Sequence, residues 1–182
     1  LTQRILSAEA QVDSDRMRTG NLQDADWTKI TNAINRLEIP LYIDDTSQIT
    51  VTQIRQKLRR VAVSDAAPAL VIIDYLQLMG GGNNENRQLE VSEISRGLKM
   101  LARDFGIPVV ALSQLSRTIE TRADRRPVLA DLRESGALEQ DADVVMFLYR
   151  EEAANAEARN NDKGYADVIV QKHRSGPTGD VR

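Results

Sequence analysis

The sequence LVIID, at residues 70–74, is a run of four large apolar residues followed by an acid. A continuous apolar run of this length is typical of a strand that is buried on both faces of a parallel sheet. We therefore predict a strand over residues 69–75, with Asp74 at its carboxyl end. The sequence VVALSQ, at residues 109–114, repeats the design and predicts a second strand that leads to Ser113 and Gln114.

Apolar residues at helical spacing surround these two strands. They predict a long helix over residues 91–105, a helix over residues 50–63, and a helix near residues 27–37 that Asp24 or Asp26 caps. The stripe of the long helix is Val91, Ile94, Leu98, Leu101 and Phe105. The stripe near the beginning of the chain is Trp27, Ile30, Ile34 and Leu37.

Further strands are predicted at residues 41–43, 144–149 and 166–171, whereas residues 151–163 almost lack large apolar side chains. Strands that alternate with helices indicate an α/β fold with a doubly wound, mostly parallel sheet flanked by helices. Ligands of such sheets bind at the carboxyl ends of the strands. We therefore expect Asp74, Gln114 and the segment after residue 171 to share one edge of the sheet.

Composition narrows the chemistry further. The chain has no cysteine, so thiolate metal sites, disulfides and cysteine nucleophiles are excluded. It has a single histidine, so a metal site can have at most one imidazole ligand. It has 24 basic and 27 acidic residues, so any contact with nucleic acid must come from a local cluster rather than from overall charge. Aromatic residues are only 4% of the sequence, which disfavours stacking on bases. No apolar run approaches the length of a membrane-spanning helix.

The polar strand ends suggest a phosphate site. An acid such as Asp74 can hold Mg²⁺ through water beside nucleotide phosphates, as a Walker B acid does, although it can equally cap the following turn. The amide of Gln114 can bind a γ-phosphate or a water molecule and report its loss, although a polar residue is also common where a strand ends.

A pair of cations, Lys172 and Arg174, follows the last predicted strand and precedes a glycine-proline turn. Residues two apart on a strand point the same way, so both cations are expected on one side of a hairpin, with His173 on the other in a structural role. The pair suits a phosphate clamp or an arginine finger. The alternative is an exposed, solvated hairpin.

Residues 117–133 are rich in arginine but also contain acids, which is usual for a solvated loop. The neighbouring Arg133 and Gly136 favour a second interpretation, because glycine permits close backbone approach to a phosphate. A contact of this kind would be independent of base sequence.

The ordered set of motifs, which extends over nearly the whole chain, resembles the RecA-like motor domain of the bacterial replicative DNA helicase (DnaB) family. The motifs are VIIDYLQLM at 71–79, EISR at 93–96 with Leu98 and Lys99, PVVALSQL at 108–115, DLRESG at 131–136, EQDAD at 139–143, and Lys172 with RSGPTG at 174–179.

The resemblance implies a cytoplasmic, ring-shaped homohexamer that hydrolyses ATP with Mg²⁺, moves along single-stranded DNA and unwinds duplex DNA at the replication fork. It also implies primase and a helicase loader as partners, and no membrane. The residues that it assigns are Asp74 as the Walker B acid, Gln114 as the γ-phosphate sensor, Lys172 and Arg174 as a pair acting on the neighbouring subunit's ATP, and Arg133, Glu134, Gly136 and Arg87 in the two central loops that contact DNA.

The sequence departs from this family pattern in one respect: no G-x-x-x-x-G-K-[ST] motif occurs in it. We expect that motif, the first strands and the primase-interacting domain to precede Leu1, which makes residues 1–182 a fragment of a single RecA-like domain. Two alternatives remain at this point. One is another RecA-fold ATPase, such as a recombinase or repair paralogue, and the other is a non-catalytic relative that binds DNA or a helicase partner.

Overall fold

The computed structural model describes residues 1–63, 67–80, 87–132, 136–151 and 164–181. The chain forms two compact units, residues 1–44 and residues 45–182. That all 182 residues belong to one domain stays a prediction.

The first unit consists of the helices α1 (Thr2–Ala10), α2 (Ser14–Thr19) and α3 (Asp24–Arg36). Asp26 accepts a hydrogen bond from the Gln23 backbone N–H at 2.9 Å, which satisfies a donor that the first turn of α3 would otherwise leave open. The predicted helix and a capping role for Asp26 are therefore confirmed.

The apolar stripe that predicted α3 coincides with its buried face at Ile30 but not at Trp27 or Ile34. Trp27 and Ile34 are 58% and 52% exposed, whereas Asp26, Ile30 and Ala33 are buried. Ile30 and Ala33 pack against α1 and the turn that follows it, where a small side chain permits close approach of two helices. The face was predicted only in part because large apolar residues outweighed the small alanine and the capping acid in the pattern.

The second unit contains the helices α4 (Val51–Val61), α5 (Arg87–Phe105) and α6 (Gly136–Asp141), and 3-10 turns at Leu76–Leu78, Arg117–Thr121 and Leu129–Leu132. Its strands are β1 (Val71–Ile73), β2 (Val109–Ala111), β3 (Val144–Tyr149), β4 (Asp167–His173) and β5 (Gly179–Val181). Thr50 caps α4, with its hydroxyl accepting from the Gln53 N–H at 3.3 Å.

The strands form two sheets in the described residues. β1 and β2 are parallel, with Val71 opposite Val109 and Ile73 opposite Ala111. β3, β4 and β5 are antiparallel neighbours in that order. The α/β class and the parallel pairing of the LVIID and VVALSQ strands are confirmed. The antiparallel pairing of β3, β4 and β5 departs from the mostly parallel sheet that was predicted. A parallel neighbour needs a crossover connection, usually a helix with an apolar face, and residues 151–163 contain few large apolar side chains.

The predicted strand at residues 41–43 is wrong. The two sheets of the described residues are built from β1 to β5 alone, and the side chains of residues 41–43 are 54% to 58% exposed. An apolar segment needs a hydrogen-bonded neighbour to become a strand, and its sequence does not reveal whether one is present.

The core of the second unit lies between α5, α4 and one face of β1. The α5 stripe is confirmed, because Val91, Ile94, Leu98 and Leu101 are buried. The predicted burial of β1 on both faces is wrong, since Ile72 on the opposite face is 62% exposed.

Leu101 is fully buried in this core, whereas the preceding Met100 is 54% exposed. We expect Leu101→Ala to lower the free energy of unfolding by about 2–5 kcal/mol, because the substitution leaves a cavity in packed surroundings. Met100→Ala is the matched control and should change it by less than about 0.5 kcal/mol. Urea unfolding of the chain at low protein concentration measures both, and equal effects of the two substitutions would contradict this description of the core.

None of the helices in the described ranges combines the length and the apolar character needed to cross a membrane.

Candidate functional site

The carboxyl ends of β1 and β2 lie side by side. The Ile73 carbonyl accepts a hydrogen bond from the Leu112 N–H at 2.9 Å, and the Leu112 carbonyl accepts one from the Leu76 N–H at 2.9 Å. Asp74 and Gln114, both exposed, follow these contacts directly. The structure therefore brings two of the three predicted polar strand ends to one edge.

Gln77 joins these two strand ends and was missed by the sequence reasoning. Its side-chain NH₂ donates to the Ser113 hydroxyl at 3.0 Å and to the Gln114 carbonyl at 3.5 Å. Its side-chain oxygen accepts from the Gln114 backbone N–H at 3.3 Å. The available signal was a polar residue between Leu76 and Leu78 in the VIIDYLQLM motif.

A cavity of about 350 Å³ opens beside this contact. Its lining residues are Gln77, Gln114, Leu115, Ser116, Arg117, Thr118, Asp131 and Leu132. Amide, hydroxyl and guanidinium groups predominate among them, so the cavity suits a polar ligand better than an apolar one.

Asp131 is 4% exposed and organises the wall of this cavity. Its carboxylate accepts from the Val128 N–H at 2.8 Å and from Arg122 at 2.9 Å, and its carbonyl accepts from the Ser116 N–H at 3.0 Å. Hydrogen bonds of this kind compensate for burying the charge. The Arg122 side chain thus pairs with a carboxylate of the same chain rather than with an external phosphate.

Arg126 likewise pairs with carboxylates of the same chain. It pairs with Asp180 at 2.5 Å and with Asp167 at 3.5 Å, and its guanidinium carbon lies 5.4 Å from the centre of the Tyr149 ring. Burial and the hydrogen bond to Glu151 raise the pKa of Tyr149 to about 12.

Lys172 and Arg174 lie on one side of the β4–β5 hairpin, as predicted. Lys172 donates to the carbonyls of Glu139 and, at 3.2 Å, of Gln140. Arg174 donates to the Gln140 carbonyl at 3.3 Å, lies 3.5 Å from the Asp143 carboxylate, and its backbone N–H donates to the Asp143 carbonyl at 2.8 Å. His173 is exposed, and its ring lies against Gly176, where a Cβ would approach it to 2.4 Å.

Asp143 remains ionised beside these cations. The hydrogen bond from Lys99, helped by the charges of Lys99, Arg174 and Lys172, lowers the pKa of Asp143 despite some opposing burial. Asp143 therefore provides a negative charge beside Arg174 within the same chain.

The hairpin does not join the edge that carries Asp74 and Gln114. Within the described part of the chain, the Lys172 and Arg174 side chains contact residues 139–143, at the end of α6 and just after it. The physical reason is the antiparallel register, which sets His173 opposite Val144 and places the carboxyl end of β4 beside the amino end of β3. The expectation that all three strand ends share one edge is therefore not met.

Arg87 is the first described residue after residues 81–86 and begins α5. Its guanidinium donates to the Gln77 carbonyl at 2.8 Å and to the Met79 carbonyl at 3.3 Å, and it pairs with Glu90 at 2.5 Å. These bonds connect the end of β1 to the start of α5. A DNA contact by Arg87 stays a prediction.

The remaining predicted DNA-binding residues are only partly described. Gly136 is exposed at the first position of α6. Arg133 and Glu134 lie outside the described residues, and so do residues 81–86 of the glycine-rich loop.

Asp74 fits a cation only through water. Within the described ranges, no group of three or more acidic or histidine side chains is arranged to hold a metal ion directly. A single exposed carboxylate at a strand end suits Mg²⁺ that keeps most of its own water ligands.

The whole chain, residues 1–182, matches the family described as the DnaB-like helicase C terminal domain. It is 48% identical over 185 residues to the replicative DNA helicase DnaB of Geobacillus stearothermophilus, covering 100% of this chain and 40% of the relative. It is 52% identical over 184 residues to the corresponding protein of Leifsonia xyli, again covering 100% of this chain and 40% of the relative.

Solved structures agree with these sequence matches. A DnaB-like replicative helicase, solved in a study of its interactions with primase, superposes with a TM-score of 0.86 at 38% identity, over 98% of this chain and 43% of that one. An ATPase domain superposes with a TM-score of 0.88 at 38% identity, over 98% of this chain and 64% of that one.

The chain thus spans 40% of the length of the two curated relatives, and the likeness of sequence extends across all of it. The RecA-like class is shown by these superpositions. The chain belongs to the DnaB-like helicase C-terminal domain family.

Proposed function

We propose that this chain is part of an ATP-dependent replicative DNA helicase that moves along single-stranded DNA and unwinds the duplex at the replication fork. The observation that carries the proposal is the edge where β1 and β2 end together, with Asp74 and Gln114 on it. An acid and an amide in this arrangement suit nucleotide chemistry, because one can hold hydrated Mg²⁺ and the other can donate to a phosphate oxygen. The names of the relatives favour a replicative helicase over a recombinase.

Asp74 would hold Mg²⁺ through water, which supplies positive charge beside the phosphates. Gln114 would donate its side-chain NH₂ to the γ-phosphate and lose this partner when phosphate leaves. Lys172 and Arg174 would act on the ATP of the next subunit in a homohexamer. Their contacts support action between subunits, because in the described residues they bind to residues 139–143 and not to Asp74 or Gln114.

The partners and the location belong to the same proposal. Single-stranded DNA would contact Arg133, Glu134, Gly136 and Arg87 through its backbone, and primase and a helicase loader would bind the full-length protein. Such a protein would work in the cytoplasm, where the chromosome is copied.

The proposal is tested with the full-length protein. We expect ATP hydrolysis that single-stranded DNA stimulates, and unwinding of a forked duplex, both greatly reduced by Asp74→Asn. Full-length protein that binds DNA but hydrolyses no ATP would instead favour the non-catalytic relative.

Arg133→Ala tests the DNA contact. The substitution should weaken binding of single-stranded DNA about equally for all sequences, and the slope of log affinity against log salt should fall by roughly 0.7 for a lost phosphate contact. Titrations at several salt concentrations measure this, with Arg103→Ala, an exposed arginine on α5, as the matched control. An unchanged slope for Arg133→Ala would remove it from the interface.

A further inference from the structure

The 3-10 turn Leu76–Leu78 carries Gln77 to a fixed place beside β2. Leu76 is 2% exposed, and its backbone N–H donates to the Leu112 carbonyl at 2.9 Å. The Gln77 carbonyl accepts from Arg87 at 2.8 Å. Gln77 therefore has an anchored main chain, from which its side chain extends toward Gln114.

The main chain of Gln114 has no comparable support from the sheet, because the described backbone hydrogen bonds between the two segments reach only as far as Leu112. Both main-chain polar groups of Gln114 meet the Gln77 side-chain amide instead: the N–H donates to it at 3.3 Å and the carbonyl accepts from it at 3.5 Å. A side-chain amide has the same donor and acceptor as a peptide, so Gln77 continues the ladder by one step. The Ser113 hydroxyl, 3.0 Å from the same NH₂ group, adds a third contact.

We infer that Gln77 is a positioning residue, which fixes the main chain of Gln114 so that the Gln114 side chain meets the γ-phosphate. The inference rests on the proposed function, because it concerns the nucleotide site named there. Gln77 acts through Gln114 and is not itself assigned a contact with substrate. A hydrogen-bond donor that is already in place, here the Gln114 side chain, needs no reorganisation when charge develops during the reaction. Its contribution to the rate arises from this.

Gln77→Met separates this role from packing, because methionine has a similar length and no amide. Hydrogen exchange in the nucleotide-free, full-length protein is the first measurement. The Gln114 backbone amide should exchange about fivefold faster in the variant, since a hydrogen bond contributes roughly 1 kcal/mol. Exchange across α5 should not change. Gln56→Met, an exposed glutamine on α4, is the matched control.

The second measurement is a double-mutant cycle on ATP turnover. Gln77→Met should lower kcat about tenfold with little change in KM, since positioning affects the reaction more than binding. Gln114→Ala should lower kcat further than Gln77→Met does. The double variant should have the same kcat as Gln114→Ala alone, because the two residues act as one unit.

The possible results are distinguishable. If Gln114→Ala leaves kcat unchanged, the sensor role in the proposed function fails, and this inference fails with it. If Gln114→Ala lowers kcat but Gln77→Met leaves both exchange and kcat unchanged, only the positioning role is overturned. Losses that add independently in the cycle would also overturn it. If Gln77→Met loses protection throughout α5, the test uses Gln77→Glu and Gln77→Ala in its place. Gln77→Glu keeps an acceptor for the Gln114 N–H, so this amide should exchange more slowly in Gln77→Glu than in Gln77→Ala. Equal exchange of the Gln114 amide in these two variants would overturn the inference.

Discussion

Arg174→Ala in the full-length protein is expected to abolish most ATP hydrolysis while leaving nucleotide binding and ring assembly nearly intact. An arginine that stabilises charge on a neighbouring subunit's γ-phosphate contributes about 10³–10⁵ in turnover, which corresponds to roughly 4–7 kcal/mol of barrier. Steady-state ATPase assays, nucleotide titration and sizing of the assembly measure the three properties. Normal hydrolysis by Arg174→Ala would leave the hairpin as an exposed, solvated element.

The contacts of Arg174 in its own chain permit this role. Its side chain is 55% exposed, and its ion pair with Asp143 spans 3.5 Å. Exposed pairs of this kind contribute only about 0–1 kcal/mol, far less than the barrier that the arginine would lower. Arg174→Lys should not restore activity, because lysine lacks the planar fork that contacts two oxygens at once.

Mixed rings test whether Arg174 acts between subunits. Arg174→Ala subunits are combined with subunits whose P-loop lysine, in the full-length protein, is replaced. Some interfaces then join an intact P-loop to an intact arginine, so activity should partly return. If the subunits exchange and no activity returns, then either Arg174 does not act between subunits or hydrolysis requires coordinated firing around the ring.

The chain of 182 residues alone is expected to show no meaningful ATP hydrolysis and only weak nucleotide binding. Its sequence contains no G-x-x-x-x-G-K-[ST] motif, so no glycine-rich nest and no lysine are available to surround the β- and γ-phosphates. We also expect marginal solubility, because Ile72, Met146 and Leu148 are 55% to 77% exposed on the sheets.

ATP turnover and light scattering of the purified chain check this expectation, with the full-length protein as the positive control. Asp74→Asn in the isolated chain identifies a contaminating ATPase, since contaminant activity is indifferent to that substitution. Robust Mg²⁺-dependent turnover that Asp74→Asn removes would show that these residues suffice for catalysis.

Elements with a strong internal pattern could be predicted from the sequence. Successive members of the α5 stripe lie three or four residues apart within a helix of 19 residues, and the buried face is the one that the pattern indicates. The strand at residues 144–149 has the predicted bounds. The parallel pairing of β1 and β2 also follows, because an apolar run that ends in a polar residue is typical of such a sheet.

Elements that depend on a neighbour could not be predicted in this way. Residues 41–43 have the composition of a strand, yet a strand requires a hydrogen-bonded partner that composition does not specify. The buried face of α3 was decided by Ala33, whose small size matters only against another helix. The arginine-rich segment 117–133 was interpreted as a solvated loop or a phosphate-binding one, but the fold pairs Arg122 and Arg126 with Asp131, Asp167 and Asp180.

By itself, the sequence determined the family, the chemical types of the site residues and their order along the chain, because motifs are properties of a linear string. Only the tertiary structure decided which of them meet. It places Gln77 against Gln114, thirty-seven positions away, and keeps Arg174 near Asp143, because antiparallel pairing puts the end of β4 beside the start of β3. Contacts of this kind depend on strand direction and register, which no single segment encodes.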